Sequence, residues 1–450
     1  VTLRFGTDGV RGVAGTELTP ELALALGRAA ARELGRPGGS FLVGRDTRRS
    51  GPLLAAALSA GLAAEGVDVV DLGVIPTPGV AALGAAYGVA GAVVSASHNP
   101  YADNGIKLFA AGGTKLTAEV EARVERELHD RTGAESAASA VRQLGTVGTD
   151  PEALDWYRRQ VVASLEGRRL EGLRVVVDCG HGAAVVTAVE VLSAAGAEVV
   201  EVIGDAPDGS NINAGCGSTD PSRLSAVVVA HGADAGFAFD GDADRVIAVD
   251  AAGMVVDGDR LIALCAIDLR HRGLLADGTV VVTVMTNLGF HLAMAREGIA
   301  VEQTPVGDRH VLEALDRGGW SLGGEQSGHL IFRQLATTGD GVLSGLQVLD
   351  VMARSGRSLA DLAASAMDRL PQVLHNVTVV DLDGLADATA VWDEVKAVEA
   401  EMEGEGRVLL RPSGTERLVR VMVEAPTEEL AGRAAQRLAA VVADVLGAPA

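Results

Sequence analysis

The sequence predicts an α/β protein of several domains: three similar α/β units followed by a smaller α+β unit. Three observations predict it. Short apolar runs alternate with runs of helical length through most of the chain, the strand–helix–strand order of a mainly parallel sheet. At 450 residues the chain is too long for one ordinary domain, and about three or four is the expectation. Near the C-terminus the strand-like runs move closer together, which fits a compact α+β unit.

In order, strands are expected over 41–44, 67–72 and 91–95, with a helix over 52–65. A charged, polar stretch over 119–150 reads as a helix and then a linker. A second cycle opens with the buried-strand run Arg174-Val175-Val176-Val177-Asp178. It continues with a helix from Ala183, a strand over 198–203, a helix over 221–231 and strands over 235–239 and 245–250. A third cycle holds a helix over 261–269, a strand over 279–284, helices over 288–296 and 309–315, and strands over 301–306 and 321–323. The tail gives a strand over 374–382, a helix over 387–399, strands over 408–411 and 418–424, and a helix over 428–446. The domains expected from this order are 1–150, 151–255, 256–370 and 371–450. No sequence repeat relates the three cycles, so their likeness rests on element order alone.

Composition narrows the function. The formal net charge is −22, which repels nucleic acid and anionic lipid and makes both poor partners. It also repels a phosphorylated sugar, so an anionic substrate needs a local cluster of Arg and Lys. Lysine is confined to Lys107, Lys115 and Lys396, every other basic residue being Arg. Because Lys can be tuned to lose its proton and Arg cannot, a Lys kept in such a chain suggests function, though some of the three are expected on the surface. Cys179, Cys216 and Cys265 are odd in number and widely spaced, as in reduced cytosolic thiols, and give no zinc signal. Residues 1–11 lack the apolar core of a signal peptide, and no run of 18 apolar residues occurs. The expectation is a soluble, cytoplasmic protein.

The strongest motif is Asp240-Gly241-Asp242-Ala243-Asp244-Arg245, set between two apolar runs and so on a tight loop joining strands. Three carboxylates at alternate positions can converge on one hard cation such as Mg²⁺. An EF-hand calcium loop would need Gly and Glu where Arg245 and Ala251 stand, so that reading fails. A solvated turn is the plain alternative, disfavoured because close carboxylates repel. The second motif is Val94-Ser95-Ala96-Ser97-His98-Asn99-Pro100, continuing to Asn104-Gly105-Ile106-Lys107. It places Ser97 at the C-terminal end of a strand, where α/β folds bind ligands. A serine hydroxyl can carry a phosphoryl group, whose oxygens could complete a Mg²⁺ site. Alone, the motif would more often be an Asn-Pro turn.

Arg411-Pro412-Ser413-Gly414-Thr415-Glu416, with Arg420, offers backbone N–H groups and guanidinium to a phosphate. Its Ser413 and Glu416 also match a capping box, a reading weakened by the strand that follows. Gly324-Glu325-Gln326-Ser327-Gly328-His329 could bond sugar hydroxyls through Glu325 and Ser327, or be an ordinary turn. Phe5-Gly6-Thr7-Asp8-Gly9-Val10-Arg11-Gly12 is a glycine-rich turn bearing one Arg.

Taken with GRDTR from Gly44, PTP from Pro76, VGDR from Val306 and TTGDG from Thr337, these motifs resemble the α-D-phosphohexomutase superfamily, most closely its bacterial phosphoglucosamine mutases. Gln326 and the SASHNPY run lean to that branch, while glucose- and mannose-phosphate relatives usually carry Met at the Gln326 position. The resemblance implies four domains around a central cleft, each giving one loop. It implies Ser97 as phosphoserine, Asp240, Asp242 and Asp244 holding Mg²⁺ with it, and Arg11, Lys107 and Arg245 near the phosphoryl group; His98 is counted with this catalytic set. Glu325 and Ser327 would grip the sugar, while Arg411, Ser413, Gly414, Thr415 and Arg420 would hold the phosphate not in transfer.

The implied reaction interconverts glucosamine 6-phosphate and glucosamine 1-phosphate through a 1,6-bisphosphate, with a sugar 1,6-bisphosphate as activator. Lys107 is the first candidate for the base and His329 the second. A homodimer acting on a small sugar phosphate completes the expectation, with a mobile last domain hinged near 369–372.

Overall fold

The computed structural model describes residues 9–36, 38–132, 144–413 and 417–447. The chain forms two compact units, Val1–Met285 with Gly298–Ala366, and Thr286–Glu297 with Met367–Ala450. Each is an α/β or α+β body, and the described residues contain four sheets, three in the first unit and one in the second.

The first sheet runs, edge to edge, Val10–Val13, Asp103–Ala110, Ala90–Val94, Ser40–Arg45, Asp68–Val74, Val147–Thr149. Its centre is wholly apolar: every residue of Ala90–Val94 is buried, as expected of a strand covered on both faces. Helices Pro20–Glu33 and Gly51–Ala64 share one apolar cluster with it, and Val80, Ala81 and Leu83 of helix Thr77–Tyr87 share another with Leu42 and Phe109. The two helices of the first cluster cross at Gly27 and Gly61, where a Cβ would lie 2.2 Å from the Leu58 carbonyl oxygen and 2.1 Å from that of Leu24. The second sheet runs Val255–Val256, Val246–Asp250, Ala235–Phe239, Arg174–Asp178, Glu198–Ile203, and the third Ala300–Thr304, Thr279–Thr283, Leu322–Gly324, Leu330–Phe332.

The expectation of mainly parallel sheets is corrected in the same way three times. Each sheet has parallel strands at its centre, and then a strand that turns back antiparallel: Ala90–Val94 into Asp103–Ala110, Ala235–Phe239 into Val246–Asp250, Leu322–Gly324 into Leu330–Phe332. The three turns are the Ser97, Asp240 and Glu325 motifs. The sequence patterns missed two of these return strands, because Asp103–Ala110 is interrupted by Asp103, Asn104, Gly105 and Lys107, and Leu330–Phe332 is only three residues long.

The second unit is a three-stranded antiparallel sheet, Gln372–Thr378, Leu418–Glu424, Arg407–Pro412, on which Val391, Val395, Leu438 and Val442 of its helices pack. The first of these strands ends at Thr378, four residues before the expected end; Val379 N–H then bonds the Arg417 carbonyl. The helix Leu288–Arg296 also belongs here. The buried Glu424 carboxylate accepts Leu288 N–H at 2.9 Å and Asn287 Nδ2 at 3.2 Å. Asn287 also exchanges hydrogen bonds with the Leu370 backbone. The expected hinge residues, 369–372, lie within this unit, whose borders fall at 285/286, 297/298 and 366/367.

Candidate active site

The Ser97 turn is held from all sides. Ser97 is buried and has φ 53°, a left-handed conformation a serine rarely adopts without support. Its hydroxyl donates to Asp240 Oδ2 at 2.5 Å and lies 3.4 Å from His98 Nδ1. His98 in turn is 3.2 Å from the Arg245 guanidinium. Burial, with Arg245 and Arg11 nearby, pushes the His98 imidazole down to about 4, so it is neutral at physiological pH.

The acidic turn is the opposite: it is crowded with charge. Asp240, Asp242 and Asp244 are buried, and each offers an oxygen within 4.8 Å of the others'. Burial and the two neighbouring carboxylates hold the Asp240 carboxyl well above the usual carboxylate range. Burial would raise Asp244 too, but the Lys107 ammonium, His329 and Arg245 outweigh it and hold it well below that range. Lys107 Nζ donates to Asp242 at 2.6 Å and to Asp244 at 3.1 Å. Thr77, first residue of its helix, holds Asp242 through its hydroxyl at 2.6 Å and its N–H at 3.0 Å. Asp242 Oδ1 and Asp244 Oδ1 are buried with no hydrogen-bond partner among the described residues. Orphaned buried oxygens on two of three converging carboxylates fit a divalent cation.

The Glu325 turn is stitched to the acidic hairpin. Val246 N–H bonds the Gly328 carbonyl at 3.0 Å, and a Cβ on Gly328 would lie 2.2 Å from the Val246 oxygen, so only glycine fits. Glu325 accepts Gly307 N–H at 3.1 Å. His329 is buried between Asp244, 3.7 Å away, and Asp308, 3.4 Å away. Burial disfavours its charge, but the two carboxylates win and raise its proton affinity. Asp308 also forms an ion pair with Lys115.

These groups open onto one cavity of about 400 Å³, lined by Arg11, Ser97, Lys107, Asp244, Arg245, Glu325, Ser327 and His329 among others. Of the residues expected near the phosphoryl group or the sugar, Arg11, Ser97, Lys107, Arg245, Glu325, Ser327 and His329 line this cavity, and His98 touches Ser97 and Arg245. The phosphate motif lies in the second unit. Arg411 and Arg420 are register partners on adjacent strands, two like charges opposite one another with no acidic partner among the described residues. Such a pair is unfavourable unless an anion joins it. Ser413 is buried, its N–H bonded to the Leu418 carbonyl at 2.9 Å. Gly414 and Thr415 lie outside the described residues.

Sequence reasoning gave no role to Asp46, Arg48, Thr77, Asn213 and Asp308, all of which support the site. GRDTR, PTP and VGDR marked four of them without revealing what they do; Asn213 carried no signal. Of the three lysines, Lys107 lines the cavity, Lys115 pairs with Asp308, which lines it, and Lys396 pairs with Asp393 at the surface.

Comparison with known proteins agrees with this geometry. Models of the phosphoglucomutase/phosphomannomutase family match in order: α/β/α domain I over residues 2–135, domain II over 156–253, domain III over 257–370 and the C-terminal domain over 374–441. The phosphoglucosamine mutase of Rhodococcus jostii is 53% identical over 446 residues, covering 98% of this chain and 99% of that protein. That of Frankia alni is 54% identical over 460 residues, covering 100% of both. Among solved structures, a phosphoglucomutase/phosphomannomutase family protein from Burkholderia thailandensis superposes with a TM-score of 0.80 at 26% identity, over 98% of this chain and 97% of that one. An Aspergillus fumigatus N-acetylphosphoglucosamine mutase, solved with GlcNAc-6P and magnesium, shares the fold at a TM-score of 0.70 and 19% identity, over 99% of this chain and 96% of that one. Identity above half over essentially the whole length settles the family: the chain belongs to the phosphoglucosamine mutases of the α-D-phosphohexomutase superfamily.

Proposed function

We propose that the chain interconverts glucosamine 6-phosphate and glucosamine 1-phosphate, with Ser97 as the phosphoryl carrier and a 1,6-bisphosphate as intermediate. The observation that carries this reading is the Ser97 hydroxyl, 2.5 Å from Asp240, in one cavity with Lys107, Arg245, Glu325 and His329. Phosphoryl transfer asks mainly for position and charge stabilisation. Phospho-Ser97 gives its phosphoryl group to O1 of glucosamine 6-phosphate. The O1–P bond forms, the P–Oγ bond breaks, and the hydroxyl proton passes to a base. The bisphosphate turns around, Ser97 Oγ takes the 6-phosphoryl group, and glucosamine 1-phosphate leaves.

Arg11, Lys107 and Arg245 offset charge on the travelling group, with the neutral His98 ring beside it. Glu325 and Ser327 grip ring hydroxyls in either orientation. Arg411, Ser413, Gly414, Thr415 and Arg420 hold the other phosphate, a role supported by the facing guanidinium pair. Lys107 stays the first candidate base, a role that requires its neutral amine, whereas the ammonium that pairs with Asp242 and Asp244 can only offset charge. His329, whose two carboxylates favour the protonated ring, suits the return of a proton. Asp240, Asp242 and Asp244, with the Ser97 phosphoryl oxygens, would hold Mg²⁺, which when bound supplies charge neutralisation at the serine oxygen.

The wider reading has four domains, 1–150, 151–255, 256–370 and 371–450, each giving one of these loops. A sugar 1,6-bisphosphate recharges Ser97. The protein is a cytoplasmic homodimer without nucleic-acid or membrane partners; among the described residues no helix is long and apolar enough to cross a membrane. Its product feeds UDP-N-acetylglucosamine and peptidoglycan-precursor synthesis. The test is a mutase assay with Mg²⁺ and a sugar 1,6-bisphosphate, comparing glucosamine, glucose and mannose 6-phosphates. A kcat/KM about 10-fold or more in favour of glucosamine is expected; the reverse order would assign a phosphoglucomutase/phosphomannomutase.

A further inference from the structure

The loop that presents Ser97 is gathered onto one side chain. Arg48 is fully buried, although no acidic substrate could reach it there. Its NH2 donates to the carbonyls of Ser97 at 2.9 Å and Asn99 at 2.8 Å. Its NH1 donates to those of Pro100 at 2.5 Å and Asp103 at 3.0 Å. Its Nε donates to Asp46 Oδ2 at 2.8 Å. A guanidinium has five N–H donors in a rigid fork, and all are used here.

Asp46 closes the circuit. It accepts the Arg48 N–H at 2.9 Å and the Ser95 hydroxyl at 2.7 Å. The Ser95 oxygen accepts the Ser97 N–H at 2.9 Å. The same ion pair therefore holds both polar groups of the Ser97 backbone, the carbonyl directly and the N–H through Ser95. Asn213, from the second sheet's loops, adds a bond to the Ser97 carbonyl at 2.9 Å. A buried ion pair contributes little net stability but can impose one geometry.

We propose that Asp46 and Arg48, acting through Ser95, are positioning residues that lock Ser97 in its left-handed conformation and aim its oxygen at the transfer site. The proposal rests on Ser97 being the phosphoryl carrier. It explains why the turn tolerates a non-glycine residue at φ 53°. It also explains why the motif from Gly44 to Arg48 lies far from Ser97 in sequence yet beneath it in space. A lysine at position 48 could keep the charge pair with Asp46 but cannot span four carbonyls from one plane.

The test compares Arg48→Lys and Ser95→Ala with the parent enzyme and with Ser97→Ala, in steady state and in single-turnover transfer from the phosphorylated enzyme to glucosamine 6-phosphate. A displacement of about 1 Å in a reacting atom costs about 100-fold in rate. We expect Arg48→Lys to lose about 100-fold and Ser95→Ala about 10-fold in both kcat and the single-turnover rate. KM should stay within about threefold, because no substrate contact is removed. A purely structural role would instead lower the melting temperature and leave kcat per folded molecule unchanged; that result overturns the proposal. Should Arg48→Lys fail to fold, Ser95→Ala, which removes one hydroxyl, decides alone. An active Ser97→Ala would overturn the phosphoryl-carrier reading; an inactive Ser97→Ala beside unimpaired Arg48→Lys or Ser95→Ala would overturn only this inference.

Discussion

The Ser97 turn and the acidic turn occupy equivalent places, each joining a buried central strand to an antiparallel return strand, yet they are built on opposite principles. In the Ser97 turn nearly every polar backbone group is matched: four carbonyls to Arg48, the Ser97 N–H to Ser95. In the acidic turn three carboxylates are pressed together and two of their oxygens, Asp242 Oδ1 and Asp244 Oδ1, make no hydrogen bond among the described residues. One turn is finished by the protein; the other is left for a cation to finish. The difference teaches where precision and where responsiveness are needed. A reacting oxygen must be placed before substrate arrives, whereas a metal site can draw its final geometry from the ion.

The sharpest way to break this contrast is to remove the reacting oxygen. Ser97→Ala should lose mutase turnover completely while Mg²⁺ still raises the melting temperature, since Asp240, Asp242 and Asp244 are untouched. Assay and thermal melts on one preparation check it. Residual turnover near the parent rate would mean that Ser97 does not carry the phosphoryl group, and its elaborate support would need another cause.

The next effect is on stability. In EDTA, at a pH where folded Asp240 has ionised, Asp240→Asn should melt higher than the parent, because it relieves buried like-charge repulsion; about 1 kcal/mol is expected, or roughly 3 °C. With Mg²⁺ at a hundredfold over its Kd the parent should gain about 2.7 kcal/mol and the variant far less. The pH dependence follows from the direction of the Asp240 shift. Its carboxyl is held above the ordinary 3.8, so the metal-free fold binds this proton more tightly than the unfolded chain and loses stability as pH rises. The loss begins above the unfolded value and ends once folded Asp240 has ionised. Asp244 shifts the other way in the parent, so the difference between parent and variant reports Asp240 together with its interaction with Asp244. Metal-free melts across pH that stay parallel for the two proteins would contradict this.

The sequence made some of this contrast legible and hid the rest for a physical reason. Strand cores such as Val175–Val177 and Val280–Val282 announce themselves because burial on both faces demands uninterrupted apolar residues. Asp240, Asp242 and Asp244 stand out because their converging charge is local, contained within five positions. The support of the Ser97 turn is non-local: Asp46 and Arg48 lie about fifty residues upstream and Asn213 more than a hundred downstream. A buried Arg that bonds carbonyls looks, in sequence, like any surface Arg. Asp103–Ala110 was missed as a strand because its polar residues serve the site rather than the core. Helix Leu288–Arg296 was read correctly as a helix, but its membership of the C-terminal unit depends on Glu424, which no local pattern discloses.

The smallest effect sharpens the comparison most. Thr77→Val keeps the shape of the side chain and removes only the hydroxyl that bonds Asp242; the Thr77 N–H and Lys107 still hold that residue. Loss of one such supporting bond should weaken Mg²⁺ binding about 10-fold. Because the ion supplies the missing order in this turn, raising Mg²⁺ should restore kcat to nearly the parent value. Changes beneath Ser97 should not respond, since Mg²⁺ makes none of the bonds that Arg48 makes. Titrating Mg²⁺ against kcat for Thr77→Val and Ser95→Ala side by side reads the two principles directly. If excess Mg²⁺ fails to restore Thr77→Val, the acidic turn too depends on geometry fixed by the protein, and the two turns differ only in charge.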